Sequence, residues 1–332
     1  MPRPEHEPNE PRRRADEERG GHLLERDPVW FHHEALLYED ELEYASGVGA
    51  FVREGVEAGE PVMVAVDARK AALLRAELGE LAERVRFVDI RATGANPGRL
   101  LWVWREFEAS HPGPIRGVGE PVWPERTADE RAECHQHEAL LNLAFKRRVR
   151  FRLLCTYDAS GLHPDVISSV QETHPIVTER GVPSASPAYE PPPMAPPPPH
   201  DLSPVPERAI GLAIEPGSLA ALRRIVAAEA ERHGMSGPRV WDLVTAVHEL
   251  AMNTLVHGGG RGSLRIWRTG HALVCEVKDK GVIENALVGR MRPDPTETSG
   301  RGVWLVHQLC DLVQVRSWKH GTTVRVTMAL RY

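Results

Sequence analysis

The stretch HELAMNTLVHGGG, residues 248–260, decides how the C-terminal half of the chain is read. It is the end of a helical pattern running into a glycine cluster. Glu249, Asn253 and His257 stand four residues apart, so a helix puts them on one face, with Asp242 and Ala246 further back on the stripe. Burying such a row without partners would cost several kcal/mol, so something polar must sit against it. An Asn–Glu pair offers oxygens that suit a magnesium ion which keeps its waters and also holds phosphates. The glutamate also suits a base acting on a hydroxyl or a water. The plain alternative is the solvent-facing stripe of an ordinary helix.

Three downstream blocks bear on that choice. In HALVCEVKDKG (271–281), Leu273, Cys275, Val277 and Asp279 share one strand face, so three apolar residues lead to a carboxylate at the strand end. An acceptor there is placed to meet an exocyclic amine, and Gly281 lets the chain turn closely past something flat. In SGRGVWLVHQLCD (299–311), Ser299, Gly300 and Gly302 open a helix whose free N–H groups can receive an anion. The preceding VGRMRPDPTETS (288–299) is a long polar loop of the kind that forms a lid. In GTTVRVTM (321–328), Val324, Val326 and Met328 face inward, and Thr322 extends that row towards the site.

Together these four blocks resemble the GHKL (Bergerat-fold) ATPases, over essentially all of 206–332. The resemblance implies that Asn253 holds Mg²⁺, that Asp279 reads the adenine amine of ATP and that Gly281 shapes the adenine pocket. Gly300, Arg301 and Gly302 would form the phosphate lid, Thr322 would join the ATP site, and Glu249 matches the proposed catalytic base. The family often shows D-x-G-x-G, and here Ile283 stands at the second glycine. The segment GRGVWLVHQLCDLVQVRS…GTTV is most similar to the anti-sigma serine/threonine kinase branch. A polyproline segment precedes this domain where a histidine kinase would carry its phosphoacceptor hairpin, and no transducer domain follows it in the sequence, as chaperones and gyrases would require. The implied function is a Mg-ATP-dependent serine/threonine protein kinase that phosphorylates an anti-sigma antagonist, with a sigma factor as a further partner. The alternative is a non-catalytic, nucleotide-gated module that sequesters its partner.

The first half reads differently. PVMVAV (61–66), RVRFVDI (84–90), IRGVGEPV (115–122) and FRLLCTYD (151–158) read as strands alternating with helical patterns around 41–58, 69–80, 98–110, 128–146 and 163–174. Continuous Val/Leu-rich strands between helices imply a parallel sheet covered on both faces. No G-x-x-x-x-G-K-[ST] phosphate loop occurs. HHEALLYED, GEPVMVAV, RVRFVDI, GEPVWPERTADERAECHQHEALLNLAF and LLCTYDASGL resemble the MEDS sensory domain over roughly 30–180, with Thr156 where the family's C-P-Y-D has proline. The resemblance implies a RecA-like α/β fold and a sensory input. Cys134, His137 and Glu138 share a helix face, a group able to hold zinc or a soft ligand, or simply a polar cluster bonded near Tyr157 and Asp158. His33, with His32 and Trp123, is a further candidate for the same cleft, which would take a small-molecule ligand.

The expected organisation is a tail over 1–26, a sensory α/β domain over 27–182, a Pro-rich linker over 183–206 and an α+β two-layer ATPase domain over 207–332. In the latter, a strand (208–215) and two helices (217–233, 237–257) precede strands at 263–269 and 272–279, a helix at 302–310 and a hairpin at 312–319 and 322–330. The 332 residues suffice for two cores. The net charge of −6 gives no reason to expect nucleic acid or an anionic membrane as partner. The absence of an apolar spanning run or signal core makes the cytoplasm the expected location. The four cysteines are spaced like reduced core thiols, and a homodimer is compatible with all of this.

Overall fold

In the computed structural model, which describes residues 31–145, 150–189, 191, 201–293 and 300–330, two sheets organise the chain. The first half contains β1 (Phe31–Tyr38), α1 (Glu41–Glu57), β2 (Val62–Val66), α2 (Ala68–Leu78), β3 (Val85–Asp89), α3 (Ile90–Thr93), α4 (Leu100–Ala109) and β4 (Ile115–Gly119). Then follow α5 (Ala128–Ala144), β5 (Phe151–Asp158), α6 (Pro164–Thr173), β6 (Ile176–Glu179) and β7 (Val182–Ala185). The sheet order is β3-β2-β4-β5-β1-β6-β7, parallel throughout except for the antiparallel β6–β7 edge. Most of these helices start where the sequence supplies a side-chain cap, while α4 continues from the turn Pro97–Arg99 without one. Asp40 accepts from Leu42 and Glu43 N–H at the start of α1, and Thr127 and Glu130 form a reciprocal capping box on α5. One sheet face is covered by α1 and α2 and the other by α4, α5 and α6, so β2 and β4 are buried along their whole length.

The second half contains β8 (Ile210–Ile214), α7 (Leu219–Arg232), α8 (Gly237–Val256), β9 (Gly262–Thr269), β10 (Ala272–Asp279), α9 (Arg301–Leu309), β11 (Leu312–Trp318) and β12 (Gly321–Ala329). Its sheet runs β11-β12-β10-β9-β8, wholly antiparallel, with the three helices on one face. Among the described residues, no helix is long and apolar enough to cross a membrane.

Three strands were not anticipated. β1 lies inside the sheet, between β5 and β6, and β6 and β7 have four residues each. Residues 183–185, read as the start of the linker, are instead edge strand. Pro183 pairs there opposite Thr178, a position where the missing N–H costs nothing on the open side. The expected tail, most of the polyproline run, the end of the lid loop and Ser299 lie outside the described residues.

The two halves are joined by buried polar contacts. Glu133 of α5 is fully buried, its Oε1 accepting from Arg316 of β11 at 2.7 Å and its Oε2 from Arg290 at 3.0 Å. Leu287 and Met291, beside Arg290, pack against the first domain's core. In the turn Pro97–Arg99, Arg99 donates to the carbonyls of His307, Gln308 and Cys310 at 2.7, 2.8 and 2.9 Å, and Asn96 donates to His307 O at 3.0 Å. These are the last carbonyls of α9, which the helix itself leaves unsatisfied. A guanidinium at a helix C-terminus is also favoured by the helix dipole. Gly98 makes the approach possible, since a Cβ there would fall 2.1 Å from His307 Nδ1.

Removing one member of a buried ion pair leaves an uncompensated charge and costs about 3–5 kcal/mol. Glu133→Ala strands two guanidiniums and is expected to lower the urea midpoint of the full chain accordingly. Glu231→Ala, on an exposed position of α7, should shift stability by no more than about 0.5 kcal/mol. An unmoved midpoint in Glu133→Ala would count against the docked arrangement.

Candidate functional site

β10 runs between β12 and β9, and its alternation buries Leu273, Cys275 and Val277 before the strand ends at Asp279. The Asp279 carboxylate is held from two sides: Oδ2 accepts from Thr254 Oγ1 of α8 at 2.7 Å, and Oδ1 accepts from Gly281 N at 2.8 Å. The glycines around it are spatial requirements. A Cβ on Gly258 would lie 2.5 Å from Asp279 Cγ, and one on Gly281 would lie 2.7 Å from His257 O. The α8 end and the β10 end are therefore in backbone contact around one carboxylate.

Thr322 faces Asp279 in the strand register, and its hydroxyl donates to Gly281 O at 2.8 Å. Ser317 Oγ lies 2.8 Å from Thr322 Oγ1 and accepts from Ile283 N at 2.8 Å. The loop that lacks the second family glycine is thus tied down through the backbone of Ile283, a hydrogen bond any residue could make.

Glu249 and Asn253 lie on one face of α8, half-buried, and neither side chain has a hydrogen-bond partner among the described residues. The first turn of α9 lies against them. A Cβ on Gly302 would come 2.8 Å from Glu249 Oε2 and 3.4 Å from Asn253 Nδ2. Gly300 is the N-cap of α9, with φ of 84°, a conformation that favours glycine. Arg301 is exposed beside it. The structure thus brings together Glu249, Asn253, Gly300, Arg301 and Gly302 as one group, and Asp279, Gly281 and Thr322 as a second group beside Thr254 at the same, C-terminal end of α8. His257, the C-cap of α8, is exposed and belongs to neither. Thr254, which was not anticipated, orients Asp279; on the sequence it is one more helical residue after Asn253.

In the first domain the anticipated cleft residues separate. His33 and Glu138 do meet, His33 Nε2 lying 2.9 Å from Glu138 Oε2, but their companions are Cys155 and His174. Cys134 instead donates its thiol to Pro121 O, and His137 is buried outside the group, its imidazole lowered to about 4 by burial. Tyr157 is buried edge-on to His174, at 5.6 Å between ring centroids. Asp158 and Trp123 line a different cleft of 440 Å³ at the C-terminal strand ends, with Tyr38, Lys70 and Glu120. Burial lowers the His33 imidazole, and neighbouring His174 adds to the effect. Burial alone would raise the Glu138 carboxyl, but His174 and His33 outweigh it and hold it well below the ordinary range.

Residues 32–175 match the family model described as "MEDS: MEthanogen/methylotroph, DcmR Sensory domain". Residues 212–328 match the model described as "Histidine kinase-like ATPase domain". No curated protein matches the chain. Among solved structures, the chain is similar to the RsbU and RsbW domains of Rv1364c from Mycobacterium tuberculosis at 14% identity, with a TM-score of 0.29. That likeness covers 37% of this chain and 33% of the other, so this chain spans about a third of that structure's length.

The contact at Gly302 yields a direct test. The atom a new methyl would meet is the free end of a flexible glutamate, so Gly302→Ala should displace the Glu249 carboxylate and leave the fold intact. Alanine also favours the helix by up to about 1 kcal/mol over glycine. Thermal unfolding is expected to be unchanged or raised, while calorimetric titration with Mg-ATP shows affinity reduced about tenfold, a change of ~1.4 kcal/mol. Unchanged affinity would separate the α9 start from the nucleotide.

Proposed function

From a chain that joins a MEDS sensory domain to a histidine kinase-like ATPase domain, we propose a regulatory serine/threonine protein kinase of the anti-sigma type. It would transfer the γ-phosphoryl group of ATP to a hydroxyl of an anti-sigma antagonist under the control of the sensory domain. The observation that carries this reading is the Glu249–Asn253 pair, facing the glycine-opened start of α9 with no partner among the described residues. The anti-sigma branch is supported by the sequence from Gly300 to Val324. It is also supported by the proline-dense sequence that follows β7, which cannot form a phosphoacceptor hairpin.

The donor set fits a hydrated Mg²⁺. A carboxylate and a carboxamide stand together half-buried, and a single Cβ on Gly302 would fill the space beside them. Asn253, with Glu249 behind it, would hold the ion, which supplies charge neutralisation at the phosphates. Asp279 would accept from the adenine amine, with Thr254 and Gly281 N fixing its carboxylate plane. The N-terminal amides of α9 would receive phosphate oxygens. Glu249 would accept the proton of the attacking hydroxyl as its oxygen bonds to phosphorus and ADP departs.

The link to the sensory domain is α9 itself. Its first turn lies on Glu249 and Asn253, and its last carbonyls are bonded by Arg99 and Asn96 of the other domain. A shift of the turn Pro97–Arg99 would therefore be transmitted to the phosphate end of the site along one rigid helix of nine residues.

Incubation with labelled ATP and candidate antagonists should give acid-stable phosphoserine or phosphothreonine on the antagonist. Glu249→Gln should reduce transfer roughly 10²- to 10⁴-fold, as expected for loss of a general base, while retaining ATP. Acid-labile phosphohistidine on the protein itself would refute the serine/threonine assignment. Partner capture that depends on ATP but survives Glu249→Gln without any transfer would identify a sequestering module instead.

Asp279→Asn replaces an acceptor oxygen with a donor opposite the adenine amine. The unsatisfied pair costs roughly 1–3 kcal/mol, about ten- to hundredfold in ATP affinity. Asn253→Ala should instead make binding insensitive to Mg²⁺ and spare adenine selectivity. Calorimetry with and without Mg²⁺ distinguishes the two, and unchanged affinity in a folded Asp279→Asn would move adenine elsewhere.

A further inference from the structure

Four buried side chains converge inside the sensory domain from four separate elements. His33 of β1, Glu138 of α5, Cys155 of β5 and His174, which ends α6, each place one ligand atom within 4.8 Å of all the others. His33 Nε2 is 2.9 Å from Glu138 Oε2 and 3.4 Å from Cys155 Sγ. Cys155 Sγ and His174 Nε2 each lie 3.3 Å from that same carboxylate oxygen.

The surrounding hydrogen bonds fix the imidazole tautomers. Asn142 donates through Nδ2 to Thr173 O at 2.7 Å, so its Oδ1, 3.1 Å from His33 Nδ1, is an acceptor and His33 carries its proton on Nδ1. His174 Nδ1 lies 2.9 Å from Val170 O, which can only accept, and 3.0 Å from Thr173 Oγ1, whose proton goes to the Ser169 or Val170 carbonyl, so His174 is protonated there as well. With Nδ1 protonated, each neutral imidazole presents a lone pair at Nε2. The His33 lone pair is aimed at Glu138 Oε2, and His174 Nε2 lies 3.3 Å from the same oxygen without hydrogen-bond geometry. His174 Nε2 and Glu138 Oε1 are buried without a hydrogen-bond partner among the described residues. Acceptors facing acceptors away from water are costly unless positive charge lies between them. One proton between His33 and Glu138 would satisfy that pair and leave His174 Nε2 orphaned.

We propose that His33, Glu138, Cys155 and His174 form a closed zinc site. Two imidazole nitrogens, a thiolate and a carboxylate are a borderline-soft donor set that suits zinc and excludes Mg²⁺ or Ca²⁺ as the natural occupant. Tetrahedral coordination at zinc–ligand lengths of about 2.0–2.3 Å puts neighbouring ligand atoms roughly 3.3–3.6 Å apart. The cluster needs to open by a few tenths of an ångström at its tightest edge, 2.9 Å, and to close by about an ångström at its widest, within 4.8 Å. The two negative ligands balance the ion's charge, so the buried complex is neutral, and the Cys155 thiol proton leaves to the solvent on binding. Both Nδ1–H groups already donate to carbonyl oxygens, the outer support that orients metal-bound imidazoles. Four protein ligands leave no open position, so the site is structural or sensing and does not activate water. It ties β1, β5 and the end of α6 to α5, the helix that presents Glu133 to the ATPase domain.

The full-length protein, produced without a metal-binding tag and stripped with a chelator, is titrated with Co²⁺ and then Zn²⁺. One Co²⁺ per chain is expected, with the intense visible bands of a tetrahedral ion and a thiolate-to-cobalt charge-transfer band, all displaced by Zn²⁺. Cys155→Ser should abolish the charge-transfer band. His174→Gln should weaken Zn²⁺ binding more than about 100-fold, beyond the effect typical of an outer-shell change. Cys134→Ser should alter neither, since its thiol bonds Pro121 O outside the cluster. Circular dichroism establishes that each variant is folded; should Cys155→Ser not fold, the stoichiometry and spectrum of the unaltered protein decide. No stoichiometric binding by the unaltered protein, or a charge-transfer band that survives in folded Cys155→Ser, overturns the proposal.

Discussion

The last carbonyls of α9 have no partners within their own helix, and the structure satisfies them from another domain. Arg99 and Asn96 supply the donors, and Gly98 lets their turn come close enough. A buried helix end without such donors would cost a few kcal/mol for each unsatisfied carbonyl. Docking of the sensory domain is therefore part of what makes the C-terminal domain's own helix complete. Because the other end of α9 lies on Glu249 and Asn253, the same requirement connects the sensory domain to the candidate phosphate site.

Glu133 serves the same junction by a different means. A fully buried carboxylate with two guanidiniums is a poor source of net stability but a strong constraint on geometry, because any displacement strands a charge. Its two partners come from different segments near the candidate nucleotide site: Arg290 follows the loop after β10, and Arg316 lies on β11, next to Ser317, which bonds Ile283 and Thr322. The segment after β10 and β11 are therefore both held to α5.

Much of the C-terminal domain was legible in the sequence because its signals are local. The four-residue spacing of Glu249 and Asn253 and the alternating row from Leu273 to Asp279 each follow from one backbone period. The parallel sheet of the first domain was legible from its long apolar strands, except where the period fails. β1 is buried along most of its length, so FHHEALLY shows no alternation, and its two histidines read as polar. β7 looked like linker because VPSA contains a proline and no large apolar core residue. Thr254, Arg99, Glu133 and the Cys155–His174 pair were missed for a common reason. Each acts with a residue from 19 to 208 positions away, and no periodicity relates such pairs.

α9 belongs to both the candidate nucleotide site and the junction with the N-terminal domain. Hydrogen exchange of the full chain with and without Mg-ATP measures this directly, because amide protection reports local opening in each element separately. Nucleotide is expected to slow exchange at the start of α9 and also to change it at residues 96–101 in the other domain. A nucleotide response confined to the C-terminal domain, with 96–101 unchanged, would contradict it.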